Sequence, residues 1–382
     1  MNYARARLWL GISCVGTIVV VSVLLLLFQI PVRLLSTGKT GFGTDIGQLT
    51  GILFAYAFLS GPFDFFGGYI LPKEYGRTTV RFPVFLRGWL RGAMLHSLVL
   101  MMAALTLLNA VRAGGFSLML GAFAGLNIGL LVMQNFLAKM VGVASYRRPD
   151  LEFSSLLPGQ PGQKRPGILL AMNTPPYFTG GITGLPGHES ILFPERWLKA
   201  FSPEQVEAIL MRRVGVLRNG SRARGLLLAI GWNLAGFCLA FLLSGHVTSV
   251  AGLVTFNLWF TLWNFLGLLV LPSPSQRGVF GGDAFALQHG VEKQILHTVI
   301  QQLDKDQDDE YSRSRGVETY FHPIPSVERR VTLLNSGGSP ESGAWHAARM
   351  AIYLSWAGGS FLSRAVHCNC GRPDVWVFLP CD

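Results

Sequence analysis

Six long apolar stretches, separated by shorter polar segments, dominate the hydrophobic pattern of this chain. Each is close to the ~20 apolar residues that an α-helix needs to cross a hydrocarbon layer of about 30 Å. The first stretch is too long for the core of a secretory signal and lacks a small-residue cleavage site, so we interpret it as an uncleaved helix. The pattern therefore predicts six membrane spans, at residues 8–29, 48–70, 92–111, 115–136, 224–244 and 248–271.

The region 138–223 lies outside these spans. It begins with a Pro/Gly-rich linker, "SSLLPGQPGQKRPGILL", continues through the strand-like run "GILLAM", and then shows a turn–strand–turn pattern. A helix is predicted after Ser202, which suits an N-cap, with Glu204 and Glu207 in the first turn. Its apolar residues recur with helical period, which predicts one buried stripe, at 206, 209, 210, 214 and 217.

The second region outside the spans, 272–382, has a different pattern. Helical spacing from Asp283 to Leu303 predicts one long helix, and the acidic run "DKDQDDE" after it is interpreted as a solvated loop. A turn and a short helix follow in "YFHPIPSVERRVTLL". Residues 345–365 are aromatic-rich and amphipathic, which predicts a segment that lies along the membrane interface or packs on the bundle; a seventh span is the less favoured alternative.

Composition supports a membrane protein, because half of the 382 residues are hydrophobic and only 14% are charged. The net charge of +11 is concentrated in the segments before span one, between spans two and three, and after span four. The positive-inside rule therefore predicts that both termini and 138–223 are cytoplasmic, as in a bacterial inner membrane. Basic residues interleaved with stacking aromatics are missing, which argues against nucleic acid; anionic lipid headgroups suffice as the partner of these charges.

Four short stretches between about residues 165 and 335 occur in a recognisable order: "PYFTGGITG", "ERWLKAFSPEQVEAILMRRVGVLRN", "QRGVFGGDAFA" and "HPIPSVERRV", with two spans between the second and third. In this order they resemble the integral-membrane zinc metalloproteases of the HtpX-like and CAAX prenyl protease type. In that family HExxH in the second stretch supplies two zinc ligands and the general base, and ExxxD in the third supplies another ligand. The residues that match the family pattern are Gly215, Asn219, Asp283, His322 and Pro323.

The metal-binding residues of that family are replaced in this chain. The resemblance places Arg212 and Val216 at the two zinc-binding histidines, Arg213 at the catalytic glutamate, and Val279 at the third ligand. A guanidinium stays protonated and has no lone pair for Zn²⁺, and valine has no donor atom. The sequence thus predicts a pseudoprotease without catalytic residues or a cofactor. The alternative is that this helix is unrelated to the family and that Arg212 and Arg213 form an ordinary juxtamembrane positive pair.

The resemblance also implies a fold. We expect a mainly α, polytopic membrane bundle with a cytoplasmic metalloprotease-like α+β domain. The predicted order is a four-span region (1–137), a protease-like part with the altered HExxH helix (138–223), a two-span hairpin (224–271), a second protease-like part with the altered ExxxD helix (272–344), and an amphipathic helix with a Cys-containing tail (345–382).

A binding function can persist when the chemistry is lost. In the family an extended substrate adds along the edge of the strand before the metal helix, a position that the resemblance assigns to Tyr177, Phe178 and Thr179. The leading hypothesis is therefore a structural subunit, scaffold or assembly factor that binds other membrane protein subunits within the lipid bilayer. The alternatives are a membrane enzyme with a relocated metal or cysteine site and a transporter, although Asp64, Asn127 and Asn233 provide few intramembrane polar groups.

Three further features suggest candidate sites. A C-terminal group of donor residues is a weak metal-site candidate, because its CxC spacing departs from the usual CxxC; it comprises His367, Cys368, Cys370 and Cys381. His289 and His297 are about 80° apart around a helix, which strains joint ligation. Asp64 lies within a span and is expected to pair with a loop arginine, the alternative being an ion or substrate pathway.

Overall fold

The structure, a computed structural model, describes residues 2–35, 41–141, 145–149, 166–337 and 342–378. Residues 150–165 of the predicted linker and Cys381 lie outside this part of the chain. The protein is 72% helical, and its long apolar helices make it an integral membrane protein. The helices of spanning length and composition are α1 (Tyr3–Leu27), α3 (Phe42–Phe65), α5 (Phe82–Val141), α8 (Ser221–Ser244) and α9 (Val250–Val270).

These helices correspond to the six predicted spans, because α5 contains two of them. Its 60 residues are interrupted at Gly114 and Gly115, where the backbone leaves helical geometry and Gly115 adopts a φ of 64°. Only glycine takes this left-handed conformation readily, which explains why the chain changes direction here. Helix α2 (Ile30–Leu35) follows α1, and α3 continues through a π-helical segment (Phe66–Ile70) into α4 (Leu71–Glu74).

A small sheet forms where short strand patterns were predicted. Its strands are β1 (Tyr146–Arg147), β2 (Gly167–Ala171), β3 (Gly181–Thr183) and β4 (Ser190–Pro194), in the spatial order β1-β2-β4-β3. Strands β2 and β4 are parallel, with Leu169 opposite Leu192, and the other two pairs are antiparallel. Strand β3 is therefore an edge strand.

The helices that accompany the sheet are α6 (Trp197–Ala200), α7 (Pro203–Arg218), α10 (Pro272–Gln288), α11 (Lys293–Asp306), α12 (Arg315–Phe321) and α13 (Val327–Ser336). The predicted N-cap of α7 is confirmed: Ser202 and Gln205 form a capping box. The predicted single helix from Asp283 to Leu303 is wrong. It is divided into α10 and α11 near Gly290, whose φ of 91° is incompatible with a continuous helix.

The chain divides into two compact units. Unit 1 comprises residues 1–133, 230–267 and 351–376, and unit 2 comprises 134–229, 268–350 and 377–382. Unit 1 contains most of the apolar helices, and unit 2 contains the sheet and helices α6, α7 and α10–α13. Unit 2 is thus assembled from three separate stretches of the sequence, of which the two long ones, 134–229 and 268–350, carry its sheet and helices.

The C-terminal region contains no seventh span among its described residues. Helix α14 (Ala347–Leu354) has only eight residues and is followed by a 3₁₀ turn at Ser355–Gly358. Eight residues rise about 12 Å, well short of a hydrocarbon layer of about 30 Å. Residues 359–376 have little regular structure and are buried or half-buried throughout, so this region packs within unit 1.

Candidate functional site

Helices α7 and α10 cross closely in unit 2, and glycines allow the approach. A Cβ at Gly215 of α7 would lie 2.5 Å from Cβ of Phe285, and one at Gly282 of α10 would lie 3.1 Å from the Arg212 carbonyl oxygen. Gly215 is thus retained because a side chain would separate the helices. The crossing brings together the positions that the family resemblance assigned to metal binding.

Arg212 and Asp283 form a buried ion pair across this crossing. Nε of Arg212 donates to Oδ1 of Asp283 at 2.6 Å, and both side chains are nearly inaccessible to solvent. Arg330 of α13 binds the same carboxylate through Nε and Nη2, at 2.8 and 2.7 Å. Arg212 and Arg330 therefore share the buried carboxylate of Asp283. Arg212 and Arg213 are both buried, so they do not form an exposed pair of positive charges.

Arg213 points toward the sheet and not toward Asp283. Its Nη1 donates to the Leu192 carbonyl of β4 at 2.8 Å, and its Nη2 donates to the Thr179 carbonyl. The guanidinium also lies 5.5 Å from the ring centroid of Trp197, within cation–π range. At the position that the family resemblance assigns to a catalytic base, the chain thus has a cation. This cation links two main-chain segments to α7 by hydrogen bonds.

The other two altered positions lie in an apolar cluster. Val216 of α7 and Val279 of α10 pack with Ile182 of β3 and Trp345, and all four side chains are at most 3% exposed. The part of the crossing around Val216 and Val279 is therefore apolar, next to the Arg212–Asp283 ion pair.

Zinc does not fit the residues present at this crossing. The side chains comprise two valines, an isoleucine, a tryptophan, three arginines and one carboxylate, and that carboxylate is already bound by two guanidinium groups. A tetrahedral zinc site needs three or four nitrogen, sulfur or oxygen donors. Within the ranges that the structure describes, no group of three or more His, Cys, Asp or Glu side chains is placed to hold a metal ion.

The residues of the predicted peptide-binding edge do not lie in a strand. Tyr177, Phe178 and Thr179 precede β3 and do not form a strand, and the side chains of Phe178 and Thr179 are buried. Their carbonyl oxygens serve the fold: Phe178 accepts from Nη2 of Arg196 at 2.9 Å, and Thr179 accepts from Arg213. The strand itself is buried at Gly181, Ile182 and Thr183, so an added peptide strand has no accessible edge there.

The remaining matching residues have structural roles. Asn219 is the C-cap of α7, and its side-chain oxygen accepts from the Ser221 N–H at 2.9 Å. His322 lies in the turn before α13, next to half-buried Pro323, and its carbonyl accepts from Nε2 of Gln276 at 2.7 Å. Burial lowers the pKa of His322, which Asp309 only partly offsets.

The other histidine and cysteine candidates do not converge. His289 contacts the Phe285 carbonyl and His297 contacts Gln301, in two different helices. Cys370 lies in unit 1, where its sulfur is 4.0 Å from Oδ1 of Asp64. Because Cys381 is outside the described residues, the full C-terminal donor group stays a sequence hypothesis.

Asp64 does pair with an arginine, but the expected partner is wrong. Its nearest guanidinium is that of Arg364, from the C-terminal region, with Nε 3.7 Å from Oδ2. Trp89 and the Gly371 N–H also donate to the carboxylate, at 3.0 and 2.9 Å. Asn127 and Asn233 donate to the carbonyls of Phe123 and Ala351, so these amides stabilise helices and turns.

Sequence reasoning missed the residues that complete the crossing. Trp345 lies outside the four quoted stretches, and Ile182 lies within "PYFTGGITG" without an assigned role. Only the tertiary structure places the two side chains beside Val216 and Val279. Arg330 had a signal, since it lies in the quoted stretch "HPIPSVERRV", but its carboxylate partner is 47 residues away.

Comparisons with known proteins add a fold relationship. No protein-family model matches the sequence, and no curated protein matches it. The structure is similar to the crystal structure of S. mikatae Ste24p, with a TM-score of 0.65 and 13% sequence identity over 80% of this chain and 78% of that chain. The two proteins share a fold: a helical membrane bundle combined with a metalloprotease-like domain.

Proposed function

We propose that this protein is a noncatalytic relative of the membrane zinc metalloproteases that serves as a structural subunit, scaffold or assembly factor for another membrane protein. Its fold is that of Ste24p, a CAAX prenyl protease and integral-membrane zinc metalloprotease. The observation that carries the proposal is the use of Arg212, Arg213, Val216 and Val279 as structural residues. Each lies in an ion pair, a main-chain anchor or an apolar core at a position where the protease family needs a donor atom or a base.

An open glycine stripe on α5 favours a membrane partner. Gly121, Gly125 and Gly129 follow one another at four-residue spacing, and a Cβ at any of them would meet nothing within 4 Å. No described helix of the chain packs closely against this stripe. Small residues at this spacing allow transmembrane helices to approach closely, so a helix of a partner protein is the proposed occupant. We also propose that the protein lies in a bacterial inner membrane with both termini in the cytoplasm. The distribution of basic residues supports this orientation of the termini.

The catalytic part of the proposal is tested on the purified full-length protein. We expect elemental analysis to find no stoichiometric zinc and a prenylated CAAX peptide to remain uncleaved when zinc is added. About one zinc per chain, together with cleavage that a chelator abolishes, would refute the proposal.

The partner part is tested in native membranes with Gly125→Leu. We expect the chain, extracted in mild detergent, to migrate as a complex larger than itself and to shift to the single-chain position in the variant. Gly16→Leu is the matched control, because Gly16 on α1 also has open space but lies outside the stripe. Equal migration of wild type and both variants contradicts a role for this stripe.

A further inference from the structure

The last described part of unit 1, residues 359–376, runs through the interior of the helical bundle; we refer to it as the inner segment. None of its residues is exposed, although it contains charged and polar side chains such as Arg364, Asn369 and Arg372. A segment with little regular structure is tolerated at membrane depth only where protein surrounds it and satisfies its backbone. The surrounding helices must therefore provide that environment.

Glycines of the bundle mark the path of the inner segment. An added Cβ at four of them would collide with it. The Cβ would lie 2.6 Å from the His367 nitrogen at Gly11 and 2.6 Å from the Cys370 oxygen at Gly67. It would lie 2.0 Å from the Gly371 oxygen at Gly68 and 2.4 Å from Cβ of Pro373 at Gly92. Neighbouring glycines on the same helices have open space, among them Gly16, Gly61 and Gly88. The glycines of the first set thus allow the inner segment to approach the helices closely, whereas Gly16, Gly61 and Gly88 do not contact it.

Two buried side chains of the bundle bind the backbone of the inner segment. Arg7 of α1 donates through Nη2 to the carbonyls of His367 and Cys370, at 2.7 and 3.2 Å, and through Nη1 to Gly67 at 2.6 Å. Asp64 of α3 accepts from the Gly371 N–H at 2.9 Å. The bundle therefore offers a cation for carbonyl groups and a carboxylate for an N–H, which together recognise a peptide backbone.

Side-chain contacts reinforce this arrangement. Arg364 lies beside Asp64, donates to Ser60, and stacks 5.0 Å from the Trp376 ring. His96 of α5 shares a hydrogen bond of 2.8 Å with the Ser363 hydroxyl. Because a charge at membrane depth is costly without a partner, Asp64 and Arg364 stabilise each other only while the inner segment is in place.

We propose that the interior of unit 1 is a binding site for a polypeptide backbone and that the chain's own inner segment is its resident ligand. This occupant closes the bundle interior to other molecules and locks α1, α3 and α5 together. The proposal stands apart from the proposed function, since it concerns unit 1 and requires neither a metal site nor a partner protein.

Cysteine labelling tests the position of the inner segment. A full-length variant that keeps only Cys370, with Cys14, Cys238, Cys368 and Cys381 replaced by serine, is treated with N-ethylmaleimide in detergent micelles. We expect labelling at least about tenfold slower than after unfolding in dodecyl sulfate, which corresponds to about 1.4 kcal/mol of local opening free energy. Equal rates in the folded and unfolded protein would overturn the proposal.

Two glycine variants in this single-cysteine background test the contact itself. We expect Gly11→Ala to accelerate labelling of Cys370, because its new methyl group meets the His367 backbone, and Gly16→Ala to leave the rate unchanged. Equal labelling in the two variants contradicts the proposed path.

A cross-link provides a measurement that does not depend on destabilised variants. Cys14 lies one helical turn after Gly11, which abuts His367, and Cys370 follows His367 by three residues, so the proposed path places these two buried thiols close together. In a chain that retains only these two cysteines, we expect diamide to oxidise them to an intramolecular disulfide, detected by mass spectrometry of the linked peptides. Failure to form this link, or links only between separate chains, argues against the proposal.

Discussion

Replacing Asp283 by asparagine tests whether the buried ion network between α7, α10 and α13 stabilises the fold. The carboxylate is 1% exposed and accepts three hydrogen bonds, from Nε of Arg212 at 2.6 Å and from Nη2 and Nε of Arg330 at 2.7 and 2.8 Å. The amide keeps the size of the side chain but removes its negative charge and one acceptor. Both guanidinium groups then lose the negative charge that Asp283 provides.

The expected loss in the free energy of unfolding is about 3–5 kcal/mol, the usual cost of removing one partner from a buried ion pair. Arg212→Met is expected to cost less, about 1.5–3 kcal/mol, the value of a hydrogen bond to a charged group. It leaves Asp283 bound to Arg330 through two hydrogen bonds, so the buried carboxylate keeps a cation beside it. The order of the two effects follows because Asp283→Asn removes a charge from both arginines, whereas Arg212→Met removes one hydrogen bond to Asp283.

The measurement is urea unfolding of the purified full-length protein in a mild detergent, followed by tryptophan fluorescence. Wild type, both single variants and the double variant form a thermodynamic cycle, in which we expect a coupling of about 0.5–3 kcal/mol. An Asp283→Asn variant that unfolds at the wild-type midpoint, or an Arg212→Met variant that loses as much as Asp283→Asn, would show that this network does not carry the stability we assign to it.

Two further predictions concern the same unit. Val279→Glu places a carboxylate at the position that the family resemblance assigns to the third ligand. We expect it to lower the free energy of unfolding by about 3 kcal/mol or more, against about 1.5 kcal/mol for Val279→Ala, because the carboxylate enters an apolar cluster. A zinc-dependent rise in melting temperature of the Glu variant would contradict this. The pKa of His322 is lower in the folded protein than its ordinary value of 6.5. Between these two pKa values the unfolded chain therefore binds more protons than the folded chain. The free energy of unfolding consequently rises with pH in this window, and stability is lost as the pH falls below about 6.5. Melting curves at several pH values should show this slope in wild type and a weaker slope in His322→Gln, and identical slopes would refute the assignment.

The spans illustrate what a local pattern can predict. A membrane helix requires a continuous apolar run, and that requirement is visible in the sequence without knowledge of any neighbour. The N-cap at Ser202 is equally local, since both groups of the capping box lie within three residues. The break between α10 and α11 was missed because a helical period continued across Gly290, whose backbone conformation ended the helix.

The edge strand and the C-terminal region show why other features could not be predicted. Tyr177, Phe178 and Thr179 had the right place in the motif order, but the arginines that bind their carbonyls come from α7 and from the turn before α6. The inner segment has no period, so nothing local reveals that Arg7 and Asp64, which precede their partners by 363 and 307 residues, bind its backbone. These contacts depend on how distant segments pack.

By itself, the sequence determined the membrane-spanning character of this protein and the chemical identity of the side chains at 212, 213, 216 and 279, because hydrophobic length and donor atoms are properties of the residues themselves. The tertiary structure alone decided how those side chains are used. Buried charges need partners and apolar side chains need a core, and in this chain Asp283, Arg330, Ile182 and Trp345 provide both from elsewhere in the sequence.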